Sequence, residues 1–211
     1  MKKQERKKPK KIQSYSEYFG EMDISEEQKK QRTDLAESIK RTVAFVFLSI
    51  SALKVLDMAL DKSDLLDTLL MRIKDDIENN GISLADYSDI ERYVDNRFAD
   101  ILDLTIDNLD KDDDFNLSED RQDLIAVNES NSILNNKEYT DALKAGFKYK
   151  TWLTKMDDRV RHTHEIVNGE RIGIYDLFDV GESVMSFPRD FAHDASMDEI
   201  ANCRCCVKYS R

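Results

Sequence analysis

Apolar residues recur every three or four positions from Leu35 through Ile39, Val43, Val46, Ile50, Leu53 and Leu56 to Leu60, one unbroken stripe that only a long α-helix can present. Upstream, Ser25 and Gln28 have the capping-box spacing, the serine accepting from a free helix amide while the Gln side chain reaches back. Between Val43 and Leu48 apolar residues wrap the whole circumference, so that segment needs cover on every side from its own domain or from a neighbouring chain. Only two prolines and six glycines punctuate 211 residues, which leaves room for more such helices.

A second helix is expected from a Ser63 cap, with Leu66, Leu69, Leu70, Ile73 and Ile77 on one face and Asn79-Asn80-Gly81 ending it. A third begins near Ser88, where Ser88 and Glu91 repeat the capping-box spacing, and its stripe runs Ile90, Val94, Phe98, Ile101, Leu102, Ile106 and Leu109. The acidic run Asp110 to Asp114 reads as a solvated loop; it lacks the glycine and terminal glutamate of a calcium-binding helix-loop-helix. A fourth helix runs from Ser118 to about Asn135, and Tyr139 to Gly146 either continues it or forms another. Its apolar stripe is weak, and Asn128, Glu129, Asn131 and Asn135 make it either exposed or packed on a polar site.

At Gly146 the texture changes. Phe147 to Leu153 is aromatic and β-prone, Asn168-Gly169 between Ile166-Val167 and Glu170-Arg171-Ile172 carries a hairpin signal, and Val207 to Tyr209 fits a last short strand. The expected fold class is α+β: a basic disordered arm (1–20), a helical region of about four helices (21–146), and a small C-terminal α+β domain with an antiparallel sheet (147–211).

Charge is unevenly distributed. Lys2, Lys3, Arg6, Lys7, Lys8, Lys10 and Lys11 give the first eleven residues a surplus of about +6, leaving about −17 for the remainder of a chain whose net charge is −11. The arm is therefore the candidate non-specific DNA contact, against the plainer reading of a solubilising tail; the acidic body repels phosphates. No apolar core follows the arm, so no signal peptide is expected. The greasiest stretch, Thr42 to Leu53, falls short of the ~20 residues needed to span a bilayer, so no membrane partner is expected.

All three histidines and all three cysteines lie within the last fifty residues. His164, His193, Cys203 and Cys205 can be assembled into a tetrahedral zinc site, the cofactor this chemistry implies if there is one. Against it stand the short Cys-x-Cys gap and the plain alternative of cysteines as small buried hydrophobes. An enzyme reading has two routes: a Cys nucleophile beside Arg204 with His164 as base, or Asp157-Asp158 with His162 and His164 holding a metal for phosphodiester hydrolysis. No second acidic cluster completes a two-metal site, and a non-catalytic protein is the expectation.

Trp152, then Asp158-Arg159-Val160-Arg161-x-x-His164, Gly169, Phe178, Pro188 and the ending Asn202-Cys203-Arg204-Cys205, preceded by Ala126-x-x-Glu129, resemble the phage Mu F-like minor head protein family over residues Ala126 to Arg211. The resemblance implies a bacteriophage minor head protein acting in head morphogenesis. It implies association with the portal or major capsid protein in the capsid interior, and a virion location after assembly in the host cytoplasm. Many relatives carry Cys-x-x-Cys where this chain has Arg161 and His164, and a histidine near Ile200; they have a zinc ligand set that this chain departs from. The expected site is a structural polar cluster of Glu129, Trp152, Asp157, Asp158, Arg161, His164, Gly169, Pro188, Asn202, Cys203, Arg204 and Cys205. Within it Arg161 pairs with Asp157, Asp158 or Glu129. A toxin-like or nuclease enzyme and an assembly regulator outside the virion are the rival functions.

Overall fold

The computed structural model describes residues 11–20, 22–109 and 113–211. The fold is α+β, helices first and small antiparallel sheets last. Helix α1 (Tyr15–Gly20) leads into the 30-residue α2 (Glu26–Val55), capped as expected by the reciprocal Ser25–Gln28 box. Helices α3 (Lys62–Asn79), α4 (Ser88–Asp107), the one-turn α5 (Asp113–Asn116) and α6 (Glu119–Lys144) follow. Helix α6 runs unbroken through Tyr139, so the continuous alternative holds.

Several local expectations are corrected. The arm is not disordered as far as residue 20: α1 is folded, and Phe19 is fully buried in the helical core beside Met22, Leu35 and Ile39. The rest of the basic arm, Lys2 to Lys10, lies outside the described residues, as do Asp110 to Asp112. Asp61, not Ser63, caps α3, its carboxylate accepting from the backbone amides of Ser63 and Asp64. Ser88 sits inside the first turn of α4 behind Tyr87, because a short 3-10 turn (Leu84–Asp86) delivers the chain there without a side-chain cap. The all-round apolar segment is only half covered: Val43, Val46 and Phe47 are buried, while Phe45 and Leu48 face outward, Leu48 with 70% of its surface exposed.

Strand β1 (Tyr149–Leu153) is the centre of a three-stranded antiparallel sheet. It pairs with β2 (Arg171–Gly173) on one side and β5 (Cys206–Ser210) on the other, Trp152 opposite Val207 and Leu153 opposite Cys206. The Asn-Gly pair does not turn a hairpin between flanking strands. Residues His162–Ile166 form helix α7, and Gly169, at φ +80°, returns the chain from that helix so that its N–H meets the Trp152 carbonyl at 2.8 Å. A left-handed residue is required in either geometry. A second, two-stranded sheet of β3 (Phe178–Val180) and β4 (Ser183–Met185) turns at Gly181, and α8 (Met197–Ile200) precedes the closing strand.

Two apolar cores result. One is built from α1 to α4 and one side of α6, and it also takes in Cys206; the other gathers Trp152, Val167, Phe178, Val180, Met185, Phe187, Ile200 and Val207. No helix among the described residues is long and apolar enough to cross a membrane. Lys150 breaks the inward apolar rhythm of β1. It is fully buried beside Trp152 on the same face, its Nζ lies 4.9 Å from the Tyr139 ring centre and 5.3 Å from that of Phe178, and it has no hydrogen-bond partner.

Burial pushes the Lys150 ammonium down to about 8, against the opposing pull of Asp190 and Asp176. An unfolded lysine titrates near 10.4, so between about pH 8 and pH 10.4 the unfolded chain holds more protons than the fold and stability rises with pH across that window. Lys150→Met is therefore expected to be more stable than the parent at about pH 7, with the two urea midpoints converging as pH rises from about 8 to about 10. A gap that stays constant over that range would show that the buried charge is not its source.

Candidate functional site

The polar character of α6 is what positions the site. Glu129, Ser130, Asn131, Ser132 and Asn135 are all buried, which decides for the packed alternative: this face is an internal seam between the two cores. From the helical side comes Arg32, fully buried on α2 and one turn ahead of Leu35 on the same stripe. Its guanidinium pairs with both Glu138 oxygens (2.7 and 3.0 Å) and donates to the side-chain oxygens of Asn131 and Asn135, each at 3.0 Å. The two asparagine amide nitrogens then point the other way, Asn131 to the Cys203 carbonyl (3.4 Å) and Asn135 to the Pro188 carbonyl (3.0 Å).

Next along the same face, Glu129 is fully buried and accepts from the Tyr93 hydroxyl and from Arg97 Nε at 3.2 Å, with Arg189 at 3.8 Å. Arg189 holds a left-handed backbone (φ +67°) and uses its fork on Ser132 Oγ (2.6 Å), Asn128 Oδ1 (2.8 Å) and the Ile200 carbonyl (2.6 Å). An arginine's five fixed donors suit such a junction, and the contacts offset the cost of the backbone conformation. Asn202, also left-handed at φ +55°, accepts from Asn128 at 2.9 Å and turns the chain into Cys203.

Beyond this seam the histidine-thiol cluster closes the C-terminal segment. His164, on α7, presents Nδ1 to Cys205 Sγ at 3.3 Å and to Cys203 Sγ at 3.6 Å, while its Nε2 meets Glu199 Oε2 at 3.1 Å. The Cys205 backbone N–H also reaches Cys203 Sγ at 3.5 Å. The Trp152 indole N–H finds no oxygen or nitrogen acceptor and lies beside Cys205, and the Trp152 ring stands edge-on to His164 with ring centres 5.6 Å apart. A hydrogen bond from Cys205, aided by His164, holds the Cys203 thiol well below its ordinary value, and the same bond pushes Cys205 up: the pair shares one proton. Burial pulls His164 down, but the Cys203 sulfur more than compensates and the imidazole is raised.

The expected cluster is thus brought together only in part. Trp152, His164, Cys203 and Cys205 meet, and Arg161 lies at the edge. Its guanidinium donates to the Ala201 carbonyl, not to the carboxylates proposed for it. Asp157 instead takes Arg204 at 2.6 Å and is held well below the usual carboxylate range; its burial opposes the shift and the Arg204 hydrogen bond drives it. Asp158 is exposed and does not line the cluster. Glu129 and Pro188 belong to the seam, and Gly169 to the turn behind Trp152. His193 is displaced from the expected metal set: its Nδ1 bonds Asp190 at 2.9 Å, within a turn that Asp190 also ties to the Ser186 and Ala192 amides. Cys206 faces the other core, where burial pushes its thiol up to about 12; for this cysteine the small-hydrophobe reading holds.

Arg32, Arg189 and Glu199 escaped the sequence reading. The spacing of Arg32 on the apolar stripe was a usable signal; Glu199, on a four-residue helix, offered none. No family model, curated protein or solved structure matches this chain.

Arg161 ties α7 to the residue just before the Asn202 turn. A hydrogen bond from a charged donor contributes about 1.5–3 kcal/mol when buried, and Arg161 is half-exposed, so Arg161→Ala is expected to cost about 1–2 kcal/mol and lower the melting temperature by a few degrees. An unchanged calorimetric melt would remove Arg161 from the cluster.

Proposed function

We propose that this chain is a bacteriophage minor head protein acting in head morphogenesis, structural and not catalytic. The observation that carries this reading is the 3.3 Å approach of His164 to Cys205: a middle position and the closing position of the residue pattern that resembles Mu F-like proteins, far apart in sequence, converge on one buried point. Independent motif positions that meet in space are what a common domain requires, and Trp152, Asn202 and Pro188 occupy the adjoining contacts. The chemistry supports a structural role. Cys203 and Cys205 are 3% exposed, and the void beside them, about 10 Å³, has room for a single water and none for a substrate.

The partners of this reading are the portal or major capsid protein and, through the arm, packaged DNA. Phe45, Leu48, Val55 and Leu56 leave apolar surface along the outer side of α2 for a protein partner. Lys2, Lys3, Arg6, Lys7, Lys8 and Lys10 would supply sequence-independent phosphate contacts; Lys11, the one described member, lies exposed 3.6 Å from Asp120. The location this implies is the capsid interior, reached from the host cytoplasm during assembly.

Mass spectrometry of purified virions is expected to find the chain in the particle; a protein confined to the lysate would be an assembly regulator instead. Deleting Met1 to Lys11 is expected to abolish salt-dependent DNA binding, and binding retained with the same salt slope would take the arm out of the account.

A further inference from the structure

We infer that His164, Cys203 and Cys205 form a zinc site with three protein ligands, completed by one water in the adjoining void. The inference rests on geometry alone and does not depend on the phage reading.

The imidazole nitrogen is already spaced from each sulfur about as on a tetrahedral ion. With Zn–S near 2.3 Å and Zn–N near 2.05 Å, tetrahedral angles place N and S about 3.6 Å apart. The observed separations are 3.3 and 3.6 Å, and all three donor atoms lie within 4.8 Å of one another. Two sulfurs and an imidazole are a soft set that favours zinc over magnesium or calcium. Two thiolates cancel the charge of a divalent ion, so the loaded centre brings no net charge into a fully buried position.

The histidine is prepared for this role by its other nitrogen. Glu199 can only accept when ionised, so Nε2 carries the proton and the Nδ1 lone pair faces the two sulfurs. Thr163 Oγ1 steadies the same carboxylate oxygen at 2.8 Å. Gly181 makes room for Glu199: a Cβ there would come within 2.4 Å of Glu199 Oε1. A carboxylate that orients a ligating histidine through its free N–H is the usual outer shell of a zinc ligand. At the sulfurs, the Cys205 amide supplies an N–H to Cys203 Sγ at 3.5 Å that stabilises a thiolate.

The fourth position follows by elimination among the described residues. His193 is bound to Asp190, and Glu199 is committed to Nε2. What adjoins the donor atoms is the void of about 10 Å³, walled by Lys155, Arg159, Arg161, Asn202 and Arg204 along with the ligands, about the volume one water needs.

The test is cobalt(II) titrated into the reduced, full-length protein. One equivalent is expected to produce thiolate-to-cobalt charge transfer in the near ultraviolet and the visible bands of a four-coordinate ion, both removed by added zinc. His193→Ala should retain the spectrum, Cys205→Ser should lose the charge transfer, and Glu199→Gln should bind cobalt 10- to 100-fold more weakly. Far-UV circular dichroism checks that each variant is folded; if Cys205→Ser is not, wild type, Glu199→Gln and His193→Ala still decide. Folded wild-type protein without charge transfer, or a His193→Ala variant that loses it, would overturn the site. Absence from virions would leave it standing.

Discussion

Asn131 and Asn135, one helical turn apart on α6, each accept from Arg32 with the side-chain oxygen and donate with the amide nitrogen to a carbonyl of the C-terminal segment. Much of the architecture depends on this two-faced use of an amide. A primary amide carries an acceptor and a donor on opposite edges, so it can stand in a seam between a neighbour with spare donors and a neighbour with spare carbonyls. Without it, the Arg32 charge would lack two acceptors and the Pro188 and Cys203 carbonyls would lose their donors, each a buried polar group left unpaired. Arg189 and Glu129 extend the seam along the helix, and the left-handed Arg189 backbone persists because four separate groups hold its side chain.

The seam also explains why the terminal thiols sit where they do. Cys203 enters through an asparagine contact, Asn202 turns under Asn128, and Ile200 is tied by Arg189, so three successive anchors deliver Cys203 and Cys205 to His164. Cys206 falls on the other side of the strand and packs into the helical core, so one short stretch touches both cores with side chains of one chemistry. Within β5 the alternation then continues the division, Cys206 packing on the helical core and Val207 on the other.

Helices α2, α3 and α4 were legible in the sequence because each spans enough turns for a period to emerge, α6 because a long run after Ser118 has neither proline nor glycine, and the central and closing strands from their β-prone residue types. The pairs β3–β4 and the short α7 and α8 were not, since three to five residues cannot express a period, and Asn168-Gly169 signals a left-handed turn without saying what it joins. The polar face of α6 was visible as an anomaly, with its two explanations open; only the position of Arg32 could have chosen between them. His164, Cys203 and Cys205 were recognisable by type. His193 was misassigned because a bond to Asp190 three residues away leaves no mark on composition, and Arg161 because its fork serves a carbonyl as readily as a carboxylate.

If the seam is the controlling contact, the helices and the C-terminal sheet unfold as one body despite having separate apolar cores. Native-state hydrogen exchange tests this directly. The account predicts that slowly exchanging amides in α6, β1 and β5 share one opening free energy and one denaturant dependence. A sheet whose amides open well below those of α6, with a smaller denaturant dependence of its own, would contradict it.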